Sequence, residues 1–280
     1  MVPEEIVRRI YLVGGAGLSH PADCSVYLVD AGEGLVMIDA GAGPGAGAIL
    51  RNVEALGFDS SRISHLVATH CHIDHIGGIS RIRGASGCRV IAHRGDQEGI
   101  EVGDPRLTAA DLYGIDYWPE KIDTLLEGEE ASQEIGDLEF HFIATPGHTP
   151  GSIAVYLDAE EGRVLFGQDV HGPFSDGWGS DIDQWRRSME KLLDLEADLL
   201  CEGHAGVFRG EEVRGYIESQ LRRYSRFLGG LVLGAYALKV ATAPTSMEIS
   251  TSRNCLAVQM FVEAWLDAMG AVYDPPAKAR

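Results

Sequence analysis

The sequence predicts an α/β chain in which two β-sheets stack face to face between outer helices, an αββα sandwich, followed by a helical C-terminal appendage. Three observations predict it. Short apolar and β-branched runs alternate with stretches of helical periodicity. The first half reads strands, helix, strand, helix, strand, and the second half partly repeats that order, as expected of two layered sheets with helices outside. From Glu211 onward the pattern is helical alone.

In order along the chain, strands are expected at Ile10 to Val13, Ser25 to Val29 and Leu35 to Ile38. The last two are separated by Asp30-Ala-Gly-Glu-Gly34, whose glycines and acids suit a hairpin turn. Gly41-Ala-Gly-Pro-Gly45 breaks the chain before a helix at Ala46 to Leu56, where Ile49, Leu50, Val53 and Leu56 share one face and Gly57 stops it. A strand at His65 to Thr69, a short helix from Ile79 and a strand at Arg89 to Ala92 complete the first half. Between Gly95 and Gln133 the pattern is weak and rich in Asp, Gly and Tyr, which reads as a lid over a site or as a long surface excursion. The second half has strands at Leu138 to Ala144, Ile153 to Leu157 and Val164 to Phe166, a helix at Asp183 to Leu195, and a strand at Leu199 to Cys201. Helical periodicity at Glu211 to Val240 and Met247 to Met269 is interrupted at Thr242-Ala-Pro-Thr-Ser246 by stop and cap signals. The expected division is therefore a catalytic domain at 1–210 and a helical extension at 211–280 packed on it.

At 45% hydrophobic and 23% charged residues, composition excludes disordered and fibrous classes. The net charge of -19 argues against nucleic acid and anionic membrane surfaces as partners, because both are bound through Lys and Arg. The start, Met1 to Arg9, has no apolar core of a secretory signal, so a cytoplasmic location is expected. Cys24, Cys71, Cys88, Cys201 and Cys255 are odd in number and never spaced C-x-x-C, which fits reduced thiols. The longest apolar run, Phe227 to Leu238, falls short of the roughly 20 residues a transmembrane helix needs.

Chemistry concentrates at His70-Cys71-His72-Ile73-Asp74-His75, directly after an apolar strand. Three imidazoles and a carboxylate in six residues suit Zn²⁺, Fe²⁺ or Mn²⁺. In an extended turn His70 and His72 project together, leaving Asp74 and His75 to reach a neighbouring centre. Three further candidates follow expected strands: His148 in Thr145-Pro-Gly-His-Thr-Pro-Gly-Ser152, Asp169 after Val164-Leu-Phe-Gly-Gln168, and His204 after Leu199-Leu-Cys-Glu-Gly203. Strand ends on one edge collect at one rim, so the coincidence counts for more than any one residue. Cys71, at the alternate position, is expected to point away as a small buried thiol. His65 and His141 read as strand residues, and His20 and His93 as loop residues. His171 opens a segment that also holds Phe174 and Trp178; with Tyr113, Tyr117 and Trp118 these are candidates to contact a substrate.

Together the motifs resemble the metallo-β-lactamase superfamily over about residues 6–210, and most closely its glyoxalase II-like branch. The resemblance implies an αββα sandwich with metal at the rim between the sheets. It implies His70, His72 and His148 on one ion, Asp74, His75 and His204 on a second, and Asp169 bridging, with zinc the leading metal and iron or manganese as alternatives. Asp39, in Met37-Ile-Asp-Ala-Gly41, matches a family position that orients a ligating imidazole. Gln168 departs from the glycine usual before the bridging Asp. Gly172 stands where the family's lactone hydrolases commonly carry Tyr, which weakens that option.

The expected function is thus a binuclear metal-dependent hydrolase of an ester, thioester or lactone, with a metal-bridging hydroxide attacking the carbonyl and Asp74 taking its proton. The alternatives are a mononuclear iron oxidoreductase similar to persulfide dioxygenases, on His70, His148 and Asp169, and a phosphodiesterase or nuclease disfavoured by the acidity. The expected partner is a small-molecule substrate. The apolar surface of Phe227 to Leu238 and Met247 to Met269 adds the expectation of a homodimer.

Overall fold

A computed structural model describes residues 2–224. The first sheet has seven strands in chain order: β1 (Glu4–Val7), β2 (Ile10–Gly14), β3 (Val26–Asp30), β4 (Leu35–Ile38), β5 (Ile63–Val67), β6 (Arg89–His93) and β7 (Thr124–Leu126). Its first four strands run antiparallel and its last four parallel. The parallel part needs crossovers, supplied by α1 (Ala46–Ala55) between β4 and β5 and by α2 (Ile73–Ile76) with α3 (Ile79–Ser86) between β5 and β6. Two short helices, α4 (Gln97–Glu101) and α5 (Ala110–Tyr113), lie in the long connection to β7.

The second sheet has six strands. They are β8 (Glu130–Ile135), β9 (Leu138–Ala144), β10 (Ile153–Ala159), β11 (Gly162–Gln168), β12 (Leu199–Glu202) and β13 (Gly206–Arg209), in the order β13-β12-β11-β10-β9-β8. Only β11 and β12 are parallel, joined through α6 (Ile182–Asp194). A further helix covers 211–224 and buries Val213 and Ile217.

Side-chain alternation explains the layering. Tyr27, Val29, Val36, Ile38, Val67 and Ile91 point from the first sheet into a core shared with Phe140, Phe142, Val155, Leu157, Val164 and Phe166 of the second. The opposite face of the first sheet, with Leu28, Met37, Leu66 and Val90, packs on Ile49 and Val53 of α1 and Ile79 and Ile82 of α3. Both faces of β3 and β4 are therefore covered, and nearly every residue in them is buried. On the second sheet's outer side, α6 buries Trp185, Ser188, Met189 and Leu192. Its Ser188 hydroxyl donates to Pro146 O and its Trp185 indole to Val170 O.

The αββα expectation is met. The stretch from Gly95 to Gln133 divides: its middle is an excursion carrying α4 and α5, whereas its end is sheet, with β7 pairing on β6 and β8 on β9. The helical readings beyond residue 224, and the dimer expectation built on them, lie outside the described residues. Among the described residues no helix is long and apolar enough to cross a membrane.

Candidate metal centre

The C-terminal ends of β5, β9, β11 and β12 meet at one rim, and each delivers a candidate ligand. After β5 the chain runs through His70 and His72 in extended backbone, with His72 preceding α2, so that Asp74 and His75 sit in the first turn of that helix. The structure brings His70, His72, His148 and Asp169 together in one group and Asp74, His75 and His204 in another, the donor atoms within each lying no more than 4.8 Å apart.

In the first group His72 Nδ1 lies 3.2 Å from His70 Nε2 and 2.9 Å from His148 Nε2. Asp169 Oδ2 is 3.3 Å from His148 Nε2 and 3.9 Å from His70 Nε2. In the second, Asp169 Oδ1 is 3.2 Å from His75 Nε2 and 3.4 Å from His204 Nε2, and Asp74 Oδ2 is 3.2 Å from His204 Nε2. One carboxylate thus faces both groups, with one oxygen toward each.

Neighbouring residues fix the rings. Asp39, buried and held at φ 62°, accepts from Thr69 N and Oγ1 and sits 2.7 Å from His75 Nδ1. That arrangement leaves His75 Nε2 aimed into the site. His148 Nδ1 lies 2.6 Å from Pro173 O. Gln168 adopts φ 43°, a conformation free for glycine and strained for glutamine, and there the β11 register against β12 shifts. The turn that aims Asp169 is therefore kept despite the substitution.

Charge differs between the groups. Burial pushes His70 well below the ordinary imidazole value and His72 down to about 3, with neighbouring imidazoles adding to the effect. Burial also opposes charge on His75 and His204. There Cys24 and the carboxylates of Asp169, Asp39 and Asp74 outweigh it at His75, and those of Asp169 and Asp74 at His204, holding His75 well above its usual value and His204 at about 10. Asp169 is held well below the carboxylate range because the facing His75 and His204 overcome the effect of its burial.

Three buried residues that brace the site were not read from the sequence as part of it. Asp96 is buried and accepts from Cys71 N, Thr149 Oγ1 and Gly151 N, tying the first histidine turn to the His148 loop. A side chain at Gly151 would meet Asp96 N at 2.2 Å, so the loop needs glycine there. Glu202, fully buried, accepts from His204 N and Ala205 N, and its Oε1 lies 2.8 Å from His171 Nδ1. Cys24 is buried beside Asp39 and His75. Each is a single residue with no local pattern to flag it.

The aromatic candidates separate. Trp178 stands 4.5 Å from the His72 ring and 5.9 Å from His148, and Phe174 is 6.4 Å from His148. Tyr113 turns its hydroxyl toward Asp74; burial and that carboxylate both push the phenol up. Tyr117 instead donates to Ile100 O and packs on the core, anchoring the excursion, while Trp118 is exposed. Cys71 is buried with its thiol toward Leu107 O. His141 stacks on Tyr156, outside the site.

A model of the metallo-beta-lactamase superfamily matches residues 21–204. Hydroxyacylglutathione hydrolase of Rhodospirillum rubrum is 35% identical over 168 residues, covering 59% of this chain and 53% of that protein. The enzyme of the same name from Methylococcus capsulatus is 31% identical over 157 residues, covering 55% and 51%. The chain spans about half the length of these two relatives. A solved B3 metallo-beta-lactamase with an active-site glutamic acid superposes with a TM-score of 0.67 at 28% identity, over 81% of this chain and 90% of its own.

Proposed function

Since the chain belongs to the metallo-beta-lactamase superfamily, we propose that it is a binuclear hydrolase of a thioester or ester carbonyl, with zinc as the metal and a small molecule as substrate. The observation that carries this reading is Asp169, whose two oxygens face two separate sets of donors, His70 and His148 on one side and His75 and His204 on the other. Among the described residues, His75 Nε2 and Asp169 Oδ1 are buried without a hydrogen-bond partner, as expected of atoms that serve an ion. The residues therefore fit two divalent cations: His70, His72 and His148 for one, Asp74, His75 and His204 for the other, with Asp169 between them. When bound, such ions bring the pKa of a coordinated water toward neutrality and polarise a carbonyl.

The chain's own groups do the rest. Asp74 presents its carboxylate at the rim, where it is placed to hold the proton released as water adds to the carbonyl. Asp39 and Pro173 O fix the His75 and His148 rings, so little reorganisation accompanies reaction. The hydroxyacylglutathione hydrolases among the relatives support a thioester, and the acidity supports a small-molecule substrate over a nucleic acid.

The test is elemental analysis of purified protein with a hydrolysis panel of thioesters, esters and lactones. Close to two divalent ions per chain and metal-dependent turnover are expected. Asp74→Ala should keep its circular dichroism and lose at least about nine-tenths of the rate, a barrier rise above roughly 1.4 kcal/mol. A single iron with oxygen consumption, or full activity in Asp74→Ala, would overturn the reading.

A further inference from the structure

We propose that the rim selects uncharged substrates bearing an aromatic group and disfavours those with an anionic leaving group. The proposal rests on the hydrolase reading and narrows its substrate class. It comes from two loops that brace the metal residues and contribute no side chain to either candidate ligand group.

The first is 171–181. Its indole, Trp178, meets His72 edge-on at 68° and His148 at 64°, closing the outer side of the first histidine group. That placement is rigid. The Ser175 hydroxyl accepts from Gly177 N, the Ser180 hydroxyl donates to His148 O and accepts from Ser175 N, and Asp181 N donates to Gly147 O. The loop that carries the indole is thus tied at several points to the loop that carries His148. A half-buried indole fixed beside reacting groups offers a flat apolar wall.

The second loop is 107–113, which lies on the histidine turn through Ile73 N to Thr108 O at 2.7 Å and the Cys71 thiol to Leu107 O. From it Tyr113 turns toward Asp74, and Leu112 stands 70% exposed. Rings from two directions therefore border the opening.

Charge supplies the other half of the argument. The stretch 109–118 holds Asp111 and Asp116, and 171–181 holds Asp176 and Asp181, with neither Lys nor Arg in either stretch. Asp181 is used as the cap of α6, but Asp111 and Asp176 are exposed on these two loops. Carboxylates there repel an incoming anion and leave an uncharged substrate unaffected.

A matched pair of thioesters tests this, S-benzyl thioacetate against S-acetylglutathione. Both release an alkyl thiol: water adds to the same acetyl carbon, the C–S bond breaks, the sulfur takes up a proton and acetate leaves. Intrinsic reactivity is similar, so the ratio of kcat/KM reports the rim. The metal-loaded wild type should prefer the benzyl substrate by at least about tenfold; Trp178→Ala should lower that ratio severalfold through KM while leaving the share set by the carboxylates, and Trp178→Phe should restore most of the loss. In parallel, N-benzylacetamide titrated into metal-free protein should quench indole fluorescence in the wild type and not in Trp178→Ala. Equal or faster turnover of S-acetylglutathione, or an unchanged ratio in Trp178→Ala, overturns the proposal while the hydrolase reading stands. Binding of N-benzylacetamide through Trp178 without turnover of any thioester overturns the hydrolase reading and leaves the aromatic subsite in place.

Discussion

On one side of the rim His148 is held by a backbone carbonyl and stands among neutral imidazoles; on the other His75 is held by the buried carboxylate of Asp39 among three acids. The first side is dry, with His70, His72 and His148 almost fully buried, and the second opens at His204, about a third exposed. The same residue types therefore solve two electrostatic problems. Burial, reinforced by the neighbouring imidazoles, keeps His70 and His72 free of protons and ready as ligands. Asp39, Asp74 and Asp169 crowd the second side, and a positive charge must balance them, from imidazolium or from a cation. Asp169 is the hinge between the two solutions.

Removing that hinge should have the largest effect. Asp169→Ala deletes the oxygens that face both groups, and we expect loss of both ions with turnover falling on the order of a thousandfold, about 4 kcal/mol of barrier. Elemental analysis beside the assay measures it. A variant that keeps close to two ions per chain would show that the two sides stand independently.

Asp39→Asn tests the second side alone. It keeps the shape beside His75 but removes the charge that orients and supports the ring. Metal affinity there should weaken about 10- to 100-fold while the first side is unchanged. Titration with a chelator of graded strength should then resolve one tight ion and one weak ion per chain. Equal weakening of both would break the comparison.

Proton linkage gives the next contrast. In metal-free protein His204 holds its proton up to about pH 10, so an ion entering the second side must displace it, and affinity there falls as pH falls. The expected slope is about tenfold per pH unit for each proton displaced. His72, pushed down to about 3, carries no proton to displace near neutrality, so its side should show a much flatter profile. Calorimetric titration in buffers of different ionisation enthalpy counts the protons released at each step.

How far these features were legible depends on whether the signal was local. His70, His72, Asp74 and His75 stand within six residues of a strand end, and that density is visible without a structure. Asp39 followed only from resemblance. Asp96 was invisible because its three partners come from residues 71, 149 and 151, which no spacing connects to it. The central strands were readable from continuous apolar runs, whereas β7 has three residues and β8 alternates exposed polar with half-buried positions at a sheet edge. The excursion before β7 was seen as a weak pattern; that Tyr113 turns from it toward Asp74 required the fold.

The smallest expected effect lies at Ser180, whose hydroxyl donates to His148 O at 2.6 Å and accepts from Ser175 N. If the first side is held by packing and backbone rather than by charge, no single polar contact should matter greatly. Ser180→Ala removes a hydrogen bond worth about 0.5–1.5 kcal/mol, yet the His148 loop remains tied through Asp181 N to Gly147 O, and the imidazole through Pro173 O. We therefore expect a drop of about 2–4 °C in Tm and no more than about threefold weaker metal binding on the first side. Thermal unfolding and the chelator titration used for Asp39→Asn put both variants on one scale. A loss as large as that of Asp39→Asn would mean that the first side also hangs on one polar contact, and the contrast between a packed and a charge-balanced side would fail.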